Sequence, residues 1–261
     1  GIYVALSSDI WPEYQEYERA STSVLSAYVG PTLAAYTSEL EAALNGLGFA
    51  HPVQIMQSNG GVMTARAAAR KAAYVIESGP AAGLGAAAHL ARSCGYDPLI
   101  AFDMGGTTAK AGVVQHGQPR ITNDFRVGGH ASAGGRDQGE PVKVPVIDLA
   151  EVGAGGGSIA WIDDGGFLQL GPQSAGADPG PACYGLGGTE PTVTDANLRL
   201  GYLDPAYFLG GRMAIFPAQS AATLDALALR LDLDVTRVAI GVRKLVNVHM
   251  ASAIRVVALQ R

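Results

Sequence analysis

Residues 100–115 read Ile100-Ala-Phe-Asp-Met-Gly-Gly-Thr-Thr-Ala-Lys110-Ala-Gly-Val-Val-Gln115, an apolar strand ending in an aspartate, a Gly-Gly-Thr-Thr turn and a second apolar run. The two glycines lack Cβ atoms, so the backbone can turn tightly and bring its N–H groups close to an anion. The two threonines add hydroxyl donors, and Asp103 offers an oxygen ligand suited to Mg²⁺. The pattern predicts a phosphate-binding hairpin, and the alternative is an ordinary hairpin whose Asp and Thr stabilise the turn.

The composition is typical of a globular α/β protein. Hydrophobic residues make up 48% of the 261 residues and charged residues 16%, which argues against a disordered chain. The net charge is −5 without a basic block, so nucleic acid and anionic membranes are not expected as partners. No apolar run approaches the ~20 residues of a membrane-spanning helix, and no signal peptide is visible. Cys94 and Cys183 lack metal-ligand spacing and predict reduced thiols in a cytoplasmic protein.

The order of strand and helix patterns predicts α/β layers. The pattern from Ser21 to Leu44 predicts a long helix that Gly30-Pro31 interrupts. We expect Thr64 to cap a short helix and a strand to run from Ala73 to Glu77. A meander of three strands is then predicted: Leu99 to Asp103, Ala109 to Gln115 and Arg120 to Val127.

A second glycine cluster, Gly153-Ala-Gly-Gly-Gly-Ser158, contains three successive glycines. Such a run allows the backbone to approach a ligand closely, and Ser158 can donate a hydrogen bond. Its cost in conformational entropy indicates that it has a use. The alternative to ligand contact is tight packing against a neighbouring strand.

Two helix starts carry polar residues. Ser78-Gly79-Pro80 either presents N–H groups to an anion or is an ordinary Ser cap with Pro in the first turn. Thr192-Val-Thr-Asp195 opens another helix, and we expect Thr194 or Asp195 to be its N-cap, with substrate or metal contact as the alternative.

Four other polar residues are candidates for chemistry. Asp148 and Glu151 flank the triple-glycine segment and are either metal or acid–base carboxylates or loop carboxylates that face water. Cys183 is a weak nucleophile candidate because the sequence identifies no base to activate it. His130 lies in a polar, glycine-rich loop and is a minor candidate.

Five motifs occur in one order along the chain and together resemble the hydantoinase A / 5-oxoprolinase family. They are Met56-Gln-Ser-Asn-Gly-Gly61, Glu77-Ser-Gly-Pro-Ala-Ala-Gly83, Asp103-Met-Gly-Gly-Thr-Thr108, Gly153-Ala-Gly-Gly-Gly-Ser158, and Gly180-Pro-Ala-Cys-Tyr-Gly185 followed by Thr192-Val-Thr-Asp-Ala-Asn197. Glu18-Arg-Ala-Ser-Thr-Ser-Val-Leu-Ser-Ala-Tyr28 is similar to the family as well. The likeness covers nearly the whole chain, and the ordered set is far more specific than any one motif.

The resemblance implies an α/β fold of the actin-like ATPase type, in which two lobes of ribonuclease-H-like topology close over nucleotide. It places residues 1–73 at the end of the first lobe and residues 74–261 in the second lobe. The first phosphate hairpin of the family, another Asp-x-Gly-Gly-Thr, is expected upstream, and a further Gly-Gly loop is expected after Arg261. We therefore expect this sequence to be a fragment that holds part of an ATP site and is inactive alone.

The resemblance also implies an activity. Family members use ATP to open cyclic amides such as hydantoins or 5-oxoproline, and relatives carboxylate ketones such as acetone or acetophenone. In both reactions, phosphorylation activates a carbonyl or enol oxygen. The leading expectation is the ATP-binding subunit of a cyclic-amide hydrolase, working in an oligomer with a hydantoinase B-type subunit or fused domain. The alternatives are a ketone carboxylase subunit and a non-catalytic actin-like binding module.

The implied site residues follow from the matched motifs. Asp103 is expected to bind Mg²⁺ or another divalent metal, directly or through water. Asp148 lies outside the matched motifs, and its position near the triple-glycine segment makes it the second carboxylate predicted to be catalytic. The residues predicted to hold ATP are Gly105, Gly106, Thr107, Thr108, Gly155, Gly156, Gly157 and Ser158.

Overall fold

Residues 2–128 and 139–260 are described by the computed structural model, and His130 lies outside them. Their contacts divide them into two units. The first takes the described residues within Gly1–Ala101 and Gly112–Leu149, and the second those within Phe102–Ala111 and Ala150–Arg261. The expected lobe boundary after residue 73 does not coincide with a boundary of these units, and the assignment of residues to lobes stays a prediction.

The first unit is mainly helical over its first hundred residues. Its helices are α1 (Ser7–Ile10), α2 (Glu16–Gly46), α3 (Ala65–Arg70) and α4 (Ser78–Cys94), with a 3₁₀ helix at Ala72–Val75. Thr64 is the N-cap of α3, and its side chain accepts a hydrogen bond from the Ala67 N–H at 3.3 Å, which confirms that prediction.

Helix α2 continues through Pro31, so the predicted interruption at Gly30-Pro31 is wrong. Proline removes one backbone donor, but tertiary hydrogen bonds anchor the part of this helix that precedes it. Ser26 is buried and accepts a hydrogen bond from the Ala73 N–H at 3.3 Å. Thr22 is also buried and accepts one from the Lys143 N–H at 2.9 Å. These contacts outweigh the local preference of the sequence for a break.

The strand predicted from Ala73 to Glu77 is wrong as well, because the chain forms a 3₁₀ helix there. No neighbouring strand within the described residues pairs with it, and side chains bind its main chain instead. The Ser58 hydroxyl donates to the Tyr74 carbonyl oxygen at 2.7 Å, and the Ser58 N–H donates to the same oxygen at 2.7 Å. The backbone polar groups are thus satisfied without a sheet.

The strands are short and largely antiparallel. The first pair is β1 (Gln54–Met56) with β2 (Val62–Thr64). A sheet of order β10-β4-β3, with β5 paired to β4, is made by β3 (Leu99–Met104), β4 (Ala109–Gln115), β5 (Gln118–Pro119) and β10 (Leu149–Val152). Two further pairs lie in the first unit, β6 (Ile121–Thr122) with β9 (Val146–Ile147), and β7 (Phe125–Val127) with β8 (Glu140–Val142). Two strands of the predicted meander are confirmed, and the third is divided into pieces with different partners.

The second unit packs a hairpin against helices. Its further elements are β11 (Ser158–Ile162), β12 (Leu168–Ser174), α5 (Val193–Arg199), α6 (Pro217–Leu231) and α7 (Val235–Gln260), with 3₁₀ helices at Ala182–Tyr184 and Phe208–Gly211. Its core is built from buried residues that include Ala154, Ala160, Leu170, Val193, Ala196, Val238 and Val242. Several of these directly flank the triple-glycine segment and the start of α5, so the core fixes both segments in place.

No helix in the described ranges is long and apolar enough to cross a membrane. The cytoplasmic location expected from the sequence stays a prediction.

Candidate functional site

The tip of the β3–β4 hairpin lies in the second unit, and its predicted side chains are accessible. The Gly105 N–H donates to the Thr108 carbonyl oxygen at 2.9 Å and closes the turn. Asp103 and Thr107 are exposed, and Thr108 is half-buried. Within the part of the chain that the structure describes, these three side chains make no hydrogen bond or ion pair. Their oxygen atoms are therefore available to a ligand.

A loop of three glycines, Gly155–Gly157, packs against the main chain of the hairpin tip. We call this segment the glycine loop. The Gly156 N–H donates to the Gly105 carbonyl oxygen at 3.0 Å, and the Gly157 N–H donates to the Gly106 carbonyl oxygen at 2.6 Å. Two hydrogen bonds thus hold the carbonyls of consecutive hairpin residues.

The glycine loop itself is largely buried. Gly155, Gly157 and Ser158 are buried, and the Gly155 N–H donates to the Ser158 Oγ at 2.8 Å. The N–H groups of all three glycines therefore have protein acceptors. Such contacts are expected if the loop packs tightly against a neighbouring segment, which was the alternative to ligand contact. It stays a prediction that nucleotide directly contacts Gly155, Gly156, Gly157 and Ser158.

The close approach explains why these positions are glycine. A Cβ atom on Gly155 would overlap the carbonyl group of Gly106 and lie 2.6 Å from the backbone nitrogen of Thr107. A Cβ on Gly157 would lie 2.8 Å from the Oγ of Ser174. Real side chains do not sit so close to backbone atoms, so any substitution at Gly155 must displace the hairpin tip.

The bonds from the glycine loop also orient the other edge of the hairpin tip. Each bonded carbonyl shares a peptide group with the N–H of the next residue. The Gly105 carbonyl is paired in this way with the Gly106 N–H, and the Gly106 carbonyl with the Thr107 N–H. In a planar trans peptide the C=O and N–H bonds point in opposite directions, so both N–H groups point away from the glycine loop. Both residues are exposed, and neither N–H donates to an acceptor among the described residues. Adjacent backbone donors of this kind bind phosphate oxygens.

The start of α5 differs from the expectation. Its N-cap is Thr192, and Asp195 occupies the third helical position, so the prediction of Thr194 or Asp195 as N-cap is wrong. The Thr192 side chain accepts from the Asp195 N–H at 3.3 Å, and the Asp195 carboxylate accepts from the Thr192 N–H at 3.0 Å. This reciprocal pair is a capping box, and the spacing of Thr192 and Asp195 in the sequence is its signature.

The Asp195 carboxylate is fully buried and joins three separate segments. It accepts hydrogen bonds from the N–H groups of Ala182 at 3.2 Å and Cys183 at 2.9 Å, and from the hydroxyls of Thr192 at 2.7 Å and Ser220 at 2.6 Å. A buried carboxylate is tolerated only when its oxygens are satisfied in this way. It therefore has a structural function in holding the 3₁₀ helix, α5 and α6 together.

Thr194, the neighbour of Asp195, contacts the glycine loop directly. Its N–H and its Oγ1 each donate to the Gly156 carbonyl oxygen at 2.8 Å. The sequence gives no signal for this contact, because it joins residues 38 positions apart. Thr194 is therefore not the N-cap that the sequence offered, and it binds the glycine loop instead.

The other predicted carboxylates form ion pairs. Asp148 belongs to the first unit, where its carboxylate lies 3.6 Å from the Arg120 Nε and its N–H donates to the Arg120 carbonyl oxygen at 2.8 Å. Its catalytic role stays a prediction. In the second unit Glu151 lies 3.6 Å from the Nζ of Lys110, a largely buried cation on β4 that sequence reasoning did not single out.

Helix α4 begins at Ser78, with Glu77 in the N-cap position. Ser78 is therefore not the ordinary cap that the sequence offered as one alternative. The other alternative, an anion at this helix start, stays a prediction.

The donor set fits a magnesium ion that arrives with phosphate. No group of three or more His, Cys, Asp or Glu side chains able to hold a metal occurs in residues 2–128 and 139–260. Mg²⁺ does not need such a cage, because it keeps several waters and binds through one or two carboxylates and phosphate oxygens. The exposed Asp103 carboxylate beside the hairpin donors can supply one such ligand.

Cys183 is unsuited to nucleophilic chemistry. Its side chain is fully buried, and burial together with the nearby Asp195 charge raises the pKa of the thiol to about 12. The thiol is therefore protonated at neutral pH, whereas a nucleophilic cysteine reacts as the thiolate.

Comparison with known proteins identifies relatives over almost the entire chain. A family model described as hydantoinase/oxoprolinase matches residues 19–261. The caprolactamase subunit alpha of Pseudomonas jessenii is 39% identical over 100% of this chain and 36% of its own length. The acetophenone carboxylase gamma subunit of Aromatoleum aromaticum is 34% identical over 97% of this chain and 33% of its own length.

Two solved structures are similar to the backbone of this chain. Nucleotide-free acetone carboxylase matches with a TM-score of 0.83 and 28% identity, covering 95% of this chain and 34% of its own. The ATP-dependent caprolactamase from Pseudomonas jessenii matches with a TM-score of 0.71 and 39% identity, covering 96% and 35%. These matches confirm the predicted fold class, a partial α/β fold of the actin-like ATPase type.

Replacement of Gly155 with alanine is expected to lower the free energy of unfolding by about 1–3 kcal/mol, because the added Cβ overpacks the hairpin tip. Gly153→Ala is the matched control, since its Cβ would meet nothing closer than 4.0 Å. Urea denaturation of both variants measures the difference. Equal stability of the two variants would contradict the close packing of the glycine loop.

The two cysteines are expected to differ sharply in reactivity. Cys94 is exposed and should be alkylated by iodoacetamide at pH 8, whereas buried Cys183 should react only after the protein is unfolded. Mass spectrometry of the labelled peptides, with and without denaturant, measures this. Rapid labelling of Cys183 in the folded protein would show that its thiol is accessible and reopen its role as a nucleophile.

Proposed function

The chain belongs to the hydantoinase/oxoprolinase family, and we propose that it forms a phosphate-binding part of the ATP-binding subunit of a cyclic-amide hydrolase. It spans about a third of the length of the caprolactamase and carboxylase subunits that it matches. The activity, substrate and partners of the whole protein are therefore part of this proposal.

The hairpin tip is the observation that carries the proposal. Its carbonyls are held from behind by the glycine loop, and the N–H groups of Gly106 and Thr107 point the other way, to an exposed edge. Donors fixed before the ligand arrives require no reorganisation when charge develops on a phosphate oxygen. Rigid backbone donors are what phosphoryl transfer requires, because its catalysis is mostly positioning and electrostatic stabilisation.

The side chains of the hairpin complete the proposed site. The hydroxyls of Thr107 and Thr108 would donate to phosphate oxygens, and the Asp103 carboxylate would hold Mg²⁺ directly or through a water molecule. When bound, ATP supplies the phosphoryl group that activates the carbonyl oxygen of a cyclic amide. The N–H and hydroxyl groups of the hairpin would bind and orient that group, and their hydrogen bonds would stabilise its negative charge.

Ketone carboxylation is the second candidate activity. Sequence identity and backbone similarity favour different candidates. Sequence identity is higher to the caprolactamase, at 39% against 28% for acetone carboxylase, whereas the TM-score is higher for acetone carboxylase. A TM-score measures the placement of the backbone alone, whereas identity also reflects the side chains that carry the chemistry. We therefore place the cyclic-amide hydrolase first.

A partner subunit belongs to the proposal as well. The caprolactamase and acetophenone carboxylase relatives are named as subunits. We propose a hydantoinase B-type subunit or fused domain as the partner, in an oligomeric enzyme. A non-catalytic actin-like module is the remaining alternative, and the assay below separates it from both enzymes.

The test is ADP release by the complete protein with its B-type partner, supplied with Mg²⁺ and ATP. The panel contains hydantoin, N-methylhydantoin, 5-oxoproline and caprolactam, and separately acetone or acetophenone with bicarbonate. We expect a cyclic amide to stimulate turnover in the absence of bicarbonate. Stimulation by ketone and bicarbonate alone would assign the protein to the carboxylases, and ATP binding without any stimulation would favour the non-catalytic module.

Replacement of Asp103 with asparagine should abolish ATP turnover in the complete enzyme without unfolding it, because the amide is a poor ligand for Mg²⁺. Asp164→Asn is the control, since this exposed carboxylate lies in a turn elsewhere in the second unit. Steady-state turnover and thermal unfolding are measured for both variants. Retained turnover in Asp103→Asn would refute the assignment of Asp103 to the metal.

A further inference from the structure

We infer that Thr194 is a positioning residue for the phosphate-binding N–H groups of the hairpin, although among the described residues it makes no hydrogen bond to the hairpin itself. The inference rests on the proposed function, because it names the residue that orients the donors of that same site. The hydroxyl of Thr194 acts through two consecutive peptide groups, one in the glycine loop and one in the hairpin tip.

The first peptide group joins Gly156 to Gly157. Thr194 binds its carbonyl oxygen with two donors, the N–H and the Oγ1, each at 2.8 Å. The N–H on the opposite edge of the same rigid plane is that of Gly157, and it donates to the Gly106 carbonyl oxygen at 2.6 Å. The orientation of this plane is therefore set by Thr194 on one edge and transmitted to the hairpin on the other.

The second peptide group joins Gly106 to Thr107. Its carbonyl oxygen accepts the bond from Gly157, so its N–H, which belongs to Thr107, is directed to the exposed edge of the hairpin tip. Hydrogen bonds in such a series polarise one another, which strengthens the last donor as well as orienting it. Thr194 thus controls both the direction and the donor strength of the Thr107 N–H.

Thr194 is itself held firmly. It is 8% exposed, and it lies between the members of the capping box formed by Thr192 and Asp195. The buried Asp195 carboxylate binds the N–H of Cys183 at 2.9 Å and the hydroxyl of Ser220 at 2.6 Å. The helix start therefore has little freedom to move, as a positioning residue requires.

The glycine loop has no side chain of its own to orient its peptide groups. Gly155, Gly156 and Gly157 lack side chains, and a Cβ on Gly156 would lie 2.9 Å from the Thr194 Oγ1. The absence of a Cβ at Gly156 is what admits the threonine hydroxyl to its carbonyl oxygen. Gly156 and Thr194 are therefore both needed to orient this peptide group.

The experiment uses the complete protein with its partner and compares Thr194→Val with Thr194→Ser. Valine keeps the shape and the backbone N–H but lacks the hydroxyl, whereas serine keeps the hydroxyl. We expect Thr194→Val to lower kcat/KM for ATP and the affinity for MgADP roughly tenfold, the lower end of what loss of an outer-shell partner costs. Thr194→Ser should retain values near those of the wild type.

A second readout requires no nucleotide. Hydrogen–deuterium exchange of the peptide that covers residues 153–158 reports on the Gly156 and Gly157 N–H groups, whose hydrogen bonds hold the hairpin tip in the free protein. We expect exchange in this peptide to be faster in Thr194→Val than in the wild type and unchanged in Thr194→Ser. Thr194→Ala removes the same hydroxyl without a branched side chain and replaces the valine variant if that variant does not fold.

Thr223→Val is the matched control. The Thr223 hydroxyl also donates to a main-chain carbonyl oxygen in the second unit, that of Ser220 at 3.1 Å, but Thr223 lies on α6 and has no bond to the glycine loop. Equal losses in Thr223→Val and Thr194→Val would overturn the inference, as would wild-type affinity and exchange in Thr194→Val. Equal losses in Thr194→Ser and Thr194→Val would overturn it too, since the methyl group would then be responsible.

The outcomes separate this inference from the function on which it rests. Wild-type protein that binds MgADP, together with a Thr194→Val variant that behaves like it, overturns the inference alone. Wild-type protein that binds no nucleotide overturns the proposed function and the inference together.

Discussion

The second unit depends on one constraint, the contact of two backbones without any side chain between them. The N–H groups of Gly156 and Gly157 reach the carbonyls of Gly105 and Gly106 only because no Cβ separates the two segments. Each of these bonds is individually worth about 0.5–1.5 kcal/mol in net stability, so their main value is geometric. They fix the planes of two hairpin peptides, and thereby the direction of the donors on the opposite edge.

This arrangement gives the two glycine-rich segments different functions. The hairpin glycines are exposed and belong to the edge that a phosphate would approach, whereas Gly155 and Gly157 are buried behind it. A glycine-rich segment in a nucleotide enzyme is readily interpreted as a ligand-binding loop. Here the buried segment has the contacts of a support, and the N–H groups that we propose as phosphate donors belong to the neighbouring hairpin.

The sequence could predict which residue types matter, but not how they contact one another. The sequence was sufficient to predict the strands around Asp103, the hairpin turn and the family likeness, because glycine, threonine and aspartate carry a local chemical signal. The contact of Thr194 with Gly156 could not be predicted, since it depends on packing between distant segments. Long-range contacts also explain the errors in the elements: Pro31 lies inside a helix because buried hydroxyls anchor that helix, and Tyr74 lies in a 3₁₀ helix because Ser58 binds it.

The buried Asp195 carboxylate has a consequence for how this region folds. Its bonds come from the 3₁₀ helix at Ala182–Tyr184, the start of α5 and Ser220 on α6. Each hydrogen bond to a charged group is worth about 1.5–3 kcal/mol, more than an ordinary neutral hydrogen bond. Conformations in which only some of these segments are in place are therefore scarcely populated. The region that supports the hairpin assembles and opens as one cooperative element, so local fraying does not disorder the donors one at a time.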